Sequence, residues 1–214
     1  MPDKILRINP IRPDPALIQR AALTMRNGGI IVFPTSGLYG LGADATNHEA
    51  VGRIFQIKHR TAAKPILILI GNTGQLARLV TPVPQIAHDL IHRHWPGGVT
   101  LIFSARQNLP QNLTAGTGKI GIRLPAHPVA AAMVDEVGFP VTGTSANLAG
   151  QPGCATIDKL PPRIIDQVDL VLDAGTLAGG KGSTVVDVTG KQPVILRKGV
   201  VPPITILDPH IATD

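Results

Sequence analysis

Five cations, Lys58, Arg60, Lys64, Arg123 and Arg197, accompany the hydroxyl and amide side chains of Thr35, Ser145, Asn147 and Ser183 along the chain. They fall in glycine-punctuated segments: residues 34–42, Lys58-His59-Arg60 with Lys64, Ser145-Ala146-Asn147, and Ser183-Thr184 with Arg197. Arg123 interrupts a buried-looking strand in Gly-Ile-Arg-Leu-Pro. The set contains no paired carboxylates, so it does not suit the acid and base of a glycosidase or a metal cluster. Cations and hydroxyls suit polyphosphate transfer, where neutralising and positioning charge dominate. Taken singly, Lys58 and Arg60 also read as a basic helix C-terminus favoured by the helix dipole, and Ser145 and Asn147 as turn chemistry. Their combination points to phosphate.

Other motifs fail on context. Gly175 to Lys181 begins like a phosphate loop, but Gly182 stands where a magnesium-binding hydroxyl belongs and the next segment reads as a strand. A helix N-terminus is half of such a site, so the motif is rejected, though the loop can still lie near phosphates. Gly116-x-Gly118-x-x-Gly121 also runs into a strand, and Gly40-x-Gly42-x-x-Ala45 lacks the acidic residue a ribose needs. His88 and His92 share a predicted helix face without a third metal ligand, so no metal site is assigned. Ser145 lacks the second glycine of a nucleophile elbow and any placed base.

The elements that must hold the cations follow from period and punctuation. Residues 5–8 read as a strand. Asp14 caps a helix with Pro15 at its first position, and Gly28-Gly29 stops it. Residues 30–33 read as a buried strand. Thr46-x-x-Glu49 reads as a capping box for a helix reaching Lys58. Strands are expected at 66–70, 99–103, 120–124 and 141–145, with helices around 86–91 and 129–137. Three further strands are expected at 170–172, 184–188 and 194–196. Strands alternate with helices early and cluster late, which predicts one α/β domain on an open, twisted, mixed sheet.

Composition agrees. Aromatics are 3% of 214 residues against 43% hydrophobic, so the core must be aliphatic. A net charge of +6 favours a polyanionic partner, nucleotide or RNA. One cysteine, Cys154, permits no internal disulfide, and residues 1–9 carry charge without a signal-like apolar stretch. A cytoplasmic protein without membrane association is expected.

Lys58-x-Arg60 with Ser145-x-Asn147 resembles the tetrad of the YrdC family. Further segments, in the same order, are similar to that family: Pro34-Thr35 with residues 39–42, Trp95-Pro96-Gly97-Gly98-Val99-Thr100, Arg123-Leu124-Pro125-x-His127-Pro128, Ser183 to Asp187, and Leu196-Arg197-Lys198-Gly199. The resemblance spans about residues 5–200. It implies a YrdC-type domain over 1–205 with a large, positively charged cavity, and a C-terminal tail over 206–214. It implies L-threonylcarbamoyladenylate synthesis from threonine, bicarbonate and ATP, with Mg2+ carried on ATP. Partner proteins then pass the threonylcarbamoyl group to tRNA. On this resemblance Lys58 and Arg60 are catalytic. Arg60, Lys64, Ser145, Asn147 and Arg197 bind ATP, and Thr35, Arg123 and Ser183 bind threonine. Ser36 and Gly37 depart from the acidic residue many members carry after the Pro-Thr pair. A non-catalytic module binding double-stranded RNA or the ribosome is the alternative reading, since YrdC relatives without the tetrad exist.

Overall fold

Buried side chains along the central strands alternate between two apolar clusters. Ile30 and Val32 face one, Ile31 and Phe33 the other; Val171 faces the first, Leu170 and Leu172 the second. Period-two alternation sends successive side chains to opposite faces, and here both faces are covered. This explains the unbroken apolar runs in the sequence. The computed structural model describes residues 4–61 and 65–207.

Two sheets form. The first runs in the order β1 (Ile5–Arg7), β9 (Leu170–Asp173), β2 (Ile31–Pro34), β3 (Tyr39–Gly42) and β8 (Thr144–Ser145). The second runs β11 (Val194–Arg197), β10 (Thr184–Asp187), β5 (Val99–Ser104), β6 (Lys119–Arg123), β4 (Ile68–Leu69) and β7 (Val141–Thr142). Both are mixed: β2 is parallel to β9 but antiparallel to β3, and β5 is parallel to β10 but antiparallel to β6. Helices α1 (Pro15–Arg26) and α6 (Pro128–Val137) pack together over the second cluster. The first cluster is completed by α2 (His48–Lys58), α3 (Leu76–Leu79), α4 (Gln85–His94), α5 (Gln111–Thr114), α7 (Pro162–Gln167) and α8 (Pro203–Leu207).

The α/β class holds, with the mixed β-structure divided between two sheets where the sequence suggested one. The division shows at 141–145, expected as a single strand. Val141 and Thr142 pair with β4, then Thr144 and Ser145 pair with β3 in the other sheet. Gly143 is the crossing point: its N–H donates to the Leu67 carbonyl at 2.8 Å, and a Cβ there would lie 2.7 Å from Leu67 Cδ1. The strand expected at 66–70 pairs only at Ile68–Leu69. Residue 206 was expected to begin a tail, yet Ile206 lies in α8 and is 2% exposed in the main core. Residues 208–214 lie outside the described residues. Among the described residues, no helix is long and apolar enough to cross a membrane.

The start of α1 follows the sequence, with Asp14 accepting from the Ala16 N–H. The start of α2 does not. Asn47, not Thr46, is the cap, and its Oδ1 accepts from the N–H groups of Glu49 and Ala50 at 3.0 and 3.1 Å. Thr46 instead donates through its amide and hydroxyl to Asp44 Oδ1 in a local turn. Asn47→Ala is therefore expected to cost about 1 kcal/mol in urea unfolding, with Thr46→Ala costing less than half as much. The opposite order would restore Thr46 as the cap.

Candidate active site

A cavity of about 350 Å3 is lined by residues of both sheets. Its floor is one face of the second sheet. Thr100 and Ile102 on β5, and Gly121 and Arg123 on β6, lie two apart on their strands and so emerge on the same side. Val185 and Leu67 extend the floor to either flank. The rim comes from Thr35 to Gly40, Ser145, Lys181 to Ser183, and Arg197. Among the described residues the lining holds no aspartate or glutamate, while Arg60, Arg123, Lys181 and Arg197 belong to it.

The end of α2 sorts Lys58 from Arg60. His59 takes the left-handed conformation (φ 49°), the Arg60 N–H donates to the Phe55 carbonyl at 3.0 Å, and the His59 N–H donates to Gln56 at 3.1 Å. These are the two bonds of a Schellman termination. It reverses the chain between the two cations, so that Arg60 reaches the cavity and Lys58 does not. Lys58 is 2% exposed. Its ammonium donates to the Ser145 carbonyl, to the Asn147 carbonyl at 2.8 Å and to Asn147 Oδ1 at 3.2 Å. Its own carbonyl accepts from the Ala149 N–H at 2.8 Å. Burial, and then the Arg60 charge, lower the Lys58 ammonium to about 7; three acceptors for three N–H donors act against that. Lys58, expected from the family resemblance to be catalytic, here ties the end of α2 to the Ser145–Asn147 turn. Asn147 is similarly inward, donating to the Leu148 and Gln151 carbonyls, and does not line the cavity.

Arg60 Nη2 donates to the Pro65 carbonyl at 2.7 Å, and burial lowers its pKa from the ordinary arginine value. Arg123 lies deepest. Its Nε is buried with no hydrogen-bond partner among the described residues, and burial, then the Arg197 charge, bring it down to about 10. It remains a cation at neutral pH. Arg197 forks onto the Ser183 carbonyl through Nε at 3.1 Å and Nη2 at 2.8 Å, and Nη2 also donates to Ser183 Oγ at 3.1 Å. Ser183 Oγ in turn shares a 2.8 Å hydrogen bond with Thr100 Oγ1. Thr35 lines the cavity, and its Oγ1 donates to the Leu38 carbonyl at 2.6 Å, which closes the rim loop and commits the hydroxyl proton, leaving the oxygen as an acceptor.

The structure thus brings Thr35, Arg60, Arg123, Ser145, Ser183 and Arg197 to one cavity, and holds Lys58 and Asn147 behind it. Lys64 lies outside the described residues. Sequence reasoning missed Lys181 and Thr100 as lining residues. Lys181 stood in the rejected phosphate-loop motif, whose glycines turn the chain as a wall instead of opening a helix; Thr100 stood in a quoted motif without a role. The Gly37 departure has a packing reason: a Cβ there would lie 2.5 Å from the Gly179 carbonyl, and the Gly179 N–H donates to the Gly37 carbonyl at 2.9 Å.

The Sua5/YciO/YrdC family model, described as "Telomere recombination", matches residues 24–199. A Bacillus subtilis protein named threonylcarbamoyl-AMP synthase is 37% identical over 187 residues, which are 87% of this chain and 54% of that protein. The chain thus spans about half the length of that relative. Pyrococcus abyssi Sua5 complexed with L-threonine superposes with a TM-score of 0.90 at 34% identity, over 94% of this chain and 59% of that one. Escherichia coli YciO superposes with a TM-score of 0.85 at 30% identity, over 95% of this chain and 98% of that one.

The clamp and the cavity cation should separate on substitution. Lys58→Ala removes the donor of the buried Asn147 carbonyl, while the Ser145 carbonyl keeps the Asn147 N–H and Asn147 Oδ1 keeps the Ser145 hydroxyl; it is expected to lower unfolding free energy by about 2 kcal/mol. Lys58→Arg should not restore it, because a planar fork does not fit a three-acceptor cradle. Arg60→Ala should cost less stability. Urea denaturation of the three variants decides, and equal losses for Lys58→Ala and Arg60→Ala would contradict the separation.

Proposed function

Because the chain belongs to the Sua5/YciO/YrdC family, we propose that it is an L-threonylcarbamoyladenylate synthase, making threonylcarbamoyl-AMP and pyrophosphate from L-threonine, bicarbonate and ATP. The observation that carries this reading is the cavity whose lining, among the described residues, has four cationic side chains and no carboxylate. Such a lining suits a polyanion and a carboxylate held together.

In this reading the amine of threonine condenses with bicarbonate, losing water, to give a carbamate. A carbamate oxygen forms a bond to the α-phosphorus of ATP. The bond from that phosphorus to the bridging oxygen breaks, and pyrophosphate leaves with the electron pair. Arg123, deepest and with no partner for its Nε among the described residues, holds the carboxylate of threonine. Arg60, Lys181 and Arg197 neutralise phosphate oxygens as charge moves to the leaving group. Ser145 Oγ and the Thr35 and Ser183 hydroxyls fix substrate polar groups. Lys58 and Asn147 act by setting the Ser145 turn. Preorganised cations of this kind are worth about a hundredfold or more in rate each. The lining offers no carboxylate to a magnesium ion, so it does not fit a protein-held metal site, and Mg2+ enters as part of the ATP substrate.

The product is an activated acyl adenylate for tRNA modification, delivered through partner proteins in the cytoplasm, and the +6 net charge suits a nucleic-acid acceptor. Purified protein is expected to release pyrophosphate only when threonine, bicarbonate and magnesium-ATP are all present, and Arg60→Ala to cut that rate about a hundredfold or more. Release indifferent to threonine would contradict the proposal. Absence of release, together with salt-sensitive binding of double-stranded RNA, would favour the RNA-binding module instead.

A further inference from the structure

Arg197 stands at the least supported place in the second sheet. Its strand, β11, is four residues long, pairs with β10 alone and carries a register shift opposite Val185 and Val186. An outer strand of this kind is held from one side only. Strand pairing ends at Arg197, opposite Val185. Two residues later the chain is bound to β10 again, this time by a side chain. The Thr184 hydroxyl oxygen accepts from the Gly199 N–H at 3.1 Å and the Val201 N–H at 3.2 Å, and it donates to the Val201 carbonyl at 2.6 Å. Its one proton and both lone pairs are thereby used. Thr184 is 0% exposed and does not line the cavity.

The strap from Gly199 to Val201 lies tight against its neighbours. A Cβ on Gly199 would stand 2.3 Å from the Gly182 carbonyl oxygen, and one on Gly98 would stand 2.6 Å from Val200 Cγ2. The Val200 N–H donates to the Gly182 carbonyl at 3.0 Å, and the Thr184 N–H to the Gly98 carbonyl at 2.9 Å. The cavity lining includes Arg197 just before the strap, Val200 within it, and Gly182 and Ser183 beneath it. The Arg197 guanidinium rests on Ser183, the residue before Thr184. We propose that Thr184 is a positioning residue: its buried hydroxyl fastens the strap to β10 and so aims Arg197, across Ser183, at the phosphates of ATP. Thr184 itself touches no substrate. This inference rests on the synthase reading, in which Arg197 meets phosphate, and adds to it the residue that sets the direction of that cation. The hydroxyl and not the shape is what matters, because valine in place of threonine keeps the shape and takes this partner from two N–H groups and a carbonyl.

The test is a cycle of dissociation constants for magnesium-ATP, measured by calorimetry on wild type, Thr184→Val, Arg197→Ala and the double variant, each verified as folded by circular dichroism. Thr184→Val is expected to weaken ATP about tenfold or more, the scale on which a displaced contact group is felt. Thr184→Ser keeps the hydroxyl and should stay within about twofold of wild type. On the Arg197→Ala background the valine substitution should add less than about twofold, because a residue that acts through Arg197 then has nothing left to aim. A loss of the same factor in both backgrounds is what a merely structural threonine would give, and it would overturn the proposal. Equal losses for serine and valine would also overturn it. If Thr184→Val does not fold, Gly199→Ala carries the same cycle, since its methyl group pushes the strap off the Gly182 carbonyl and leaves the hydroxyl in place. Pyrophosphate release is followed alongside. Wild-type protein that binds ATP without releasing pyrophosphate would overturn the synthase reading while the cycle still decides the role of Thr184; wild-type protein that does not bind ATP would overturn both.

Discussion

Among the described residues, three guanidinium groups and an ammonium line one cavity with no carboxylate in its lining, and much of the local architecture follows from that imbalance. Burying a cation without a counter-charge is costly, and burial indeed pulls Arg60, Arg123 and Arg197 below the ordinary arginine value. The fold compensates with neutral acceptors: the Pro65 carbonyl for Arg60, and the carbonyl and hydroxyl of Ser183 for Arg197. Arg123 Nε has no such acceptor among the described residues. Carbonyl oxygens hold guanidinium groups in place without cancelling their charge, so the positive potential is kept for an anionic occupant.

Two local devices make this arrangement possible. The first is the left-handed His59 at the end of α2, which points neighbouring cations in opposite directions. Lys58 goes inward and ties the end of a helix to the Ser145–Asn147 turn; Arg60 goes to the cavity. The second is the crossing at Gly143, where the chain leaves the second sheet and joins the first within a few residues. That crossing delivers Ser145 to the rim opposite the floor. The loop carrying Lys181 and Ser183 closes a further side, held by Arg197 and by the close approach of Gly199, where a Cβ would lie 2.3 Å from the Gly182 carbonyl.

The sequence displayed the parts of this site more readily than their orientation. Residue type and punctuation sufficed to mark Thr35, Arg60, Arg123, Ser145, Ser183 and Arg197, because cations and hydroxyls at strand ends are out of place in a core. Lys58 looked equivalent to Arg60, since spacing alone does not reveal a Schellman turn formed around a histidine. Thr100 and Gly121 were quoted in motifs without a role here: a threonine and a glycine within apolar strands gain one only when the pairing of β5 with β6 and the alternation along β6 set them on the face of Arg123. The same holds for the division into two sheets. Val141 to Ser145 has the composition of one continuous strand, and only the pairing partners, Leu69 and Leu41 among them, split it.

The most direct test of the cationic cavity is the melting temperature of the protein as sodium pyrophosphate is raised from zero to about a hundred times its apparent Kd, against sodium chloride at matched ionic strength. Selective binding to the native state adds about 2.7 kcal/mol at that excess. The account predicts a rise of several degrees with pyrophosphate beyond the chloride control in wild type, largely abolished in Arg60→Ala. A melting temperature that follows ionic strength alone, or an equal rise in the variant, would contradict it.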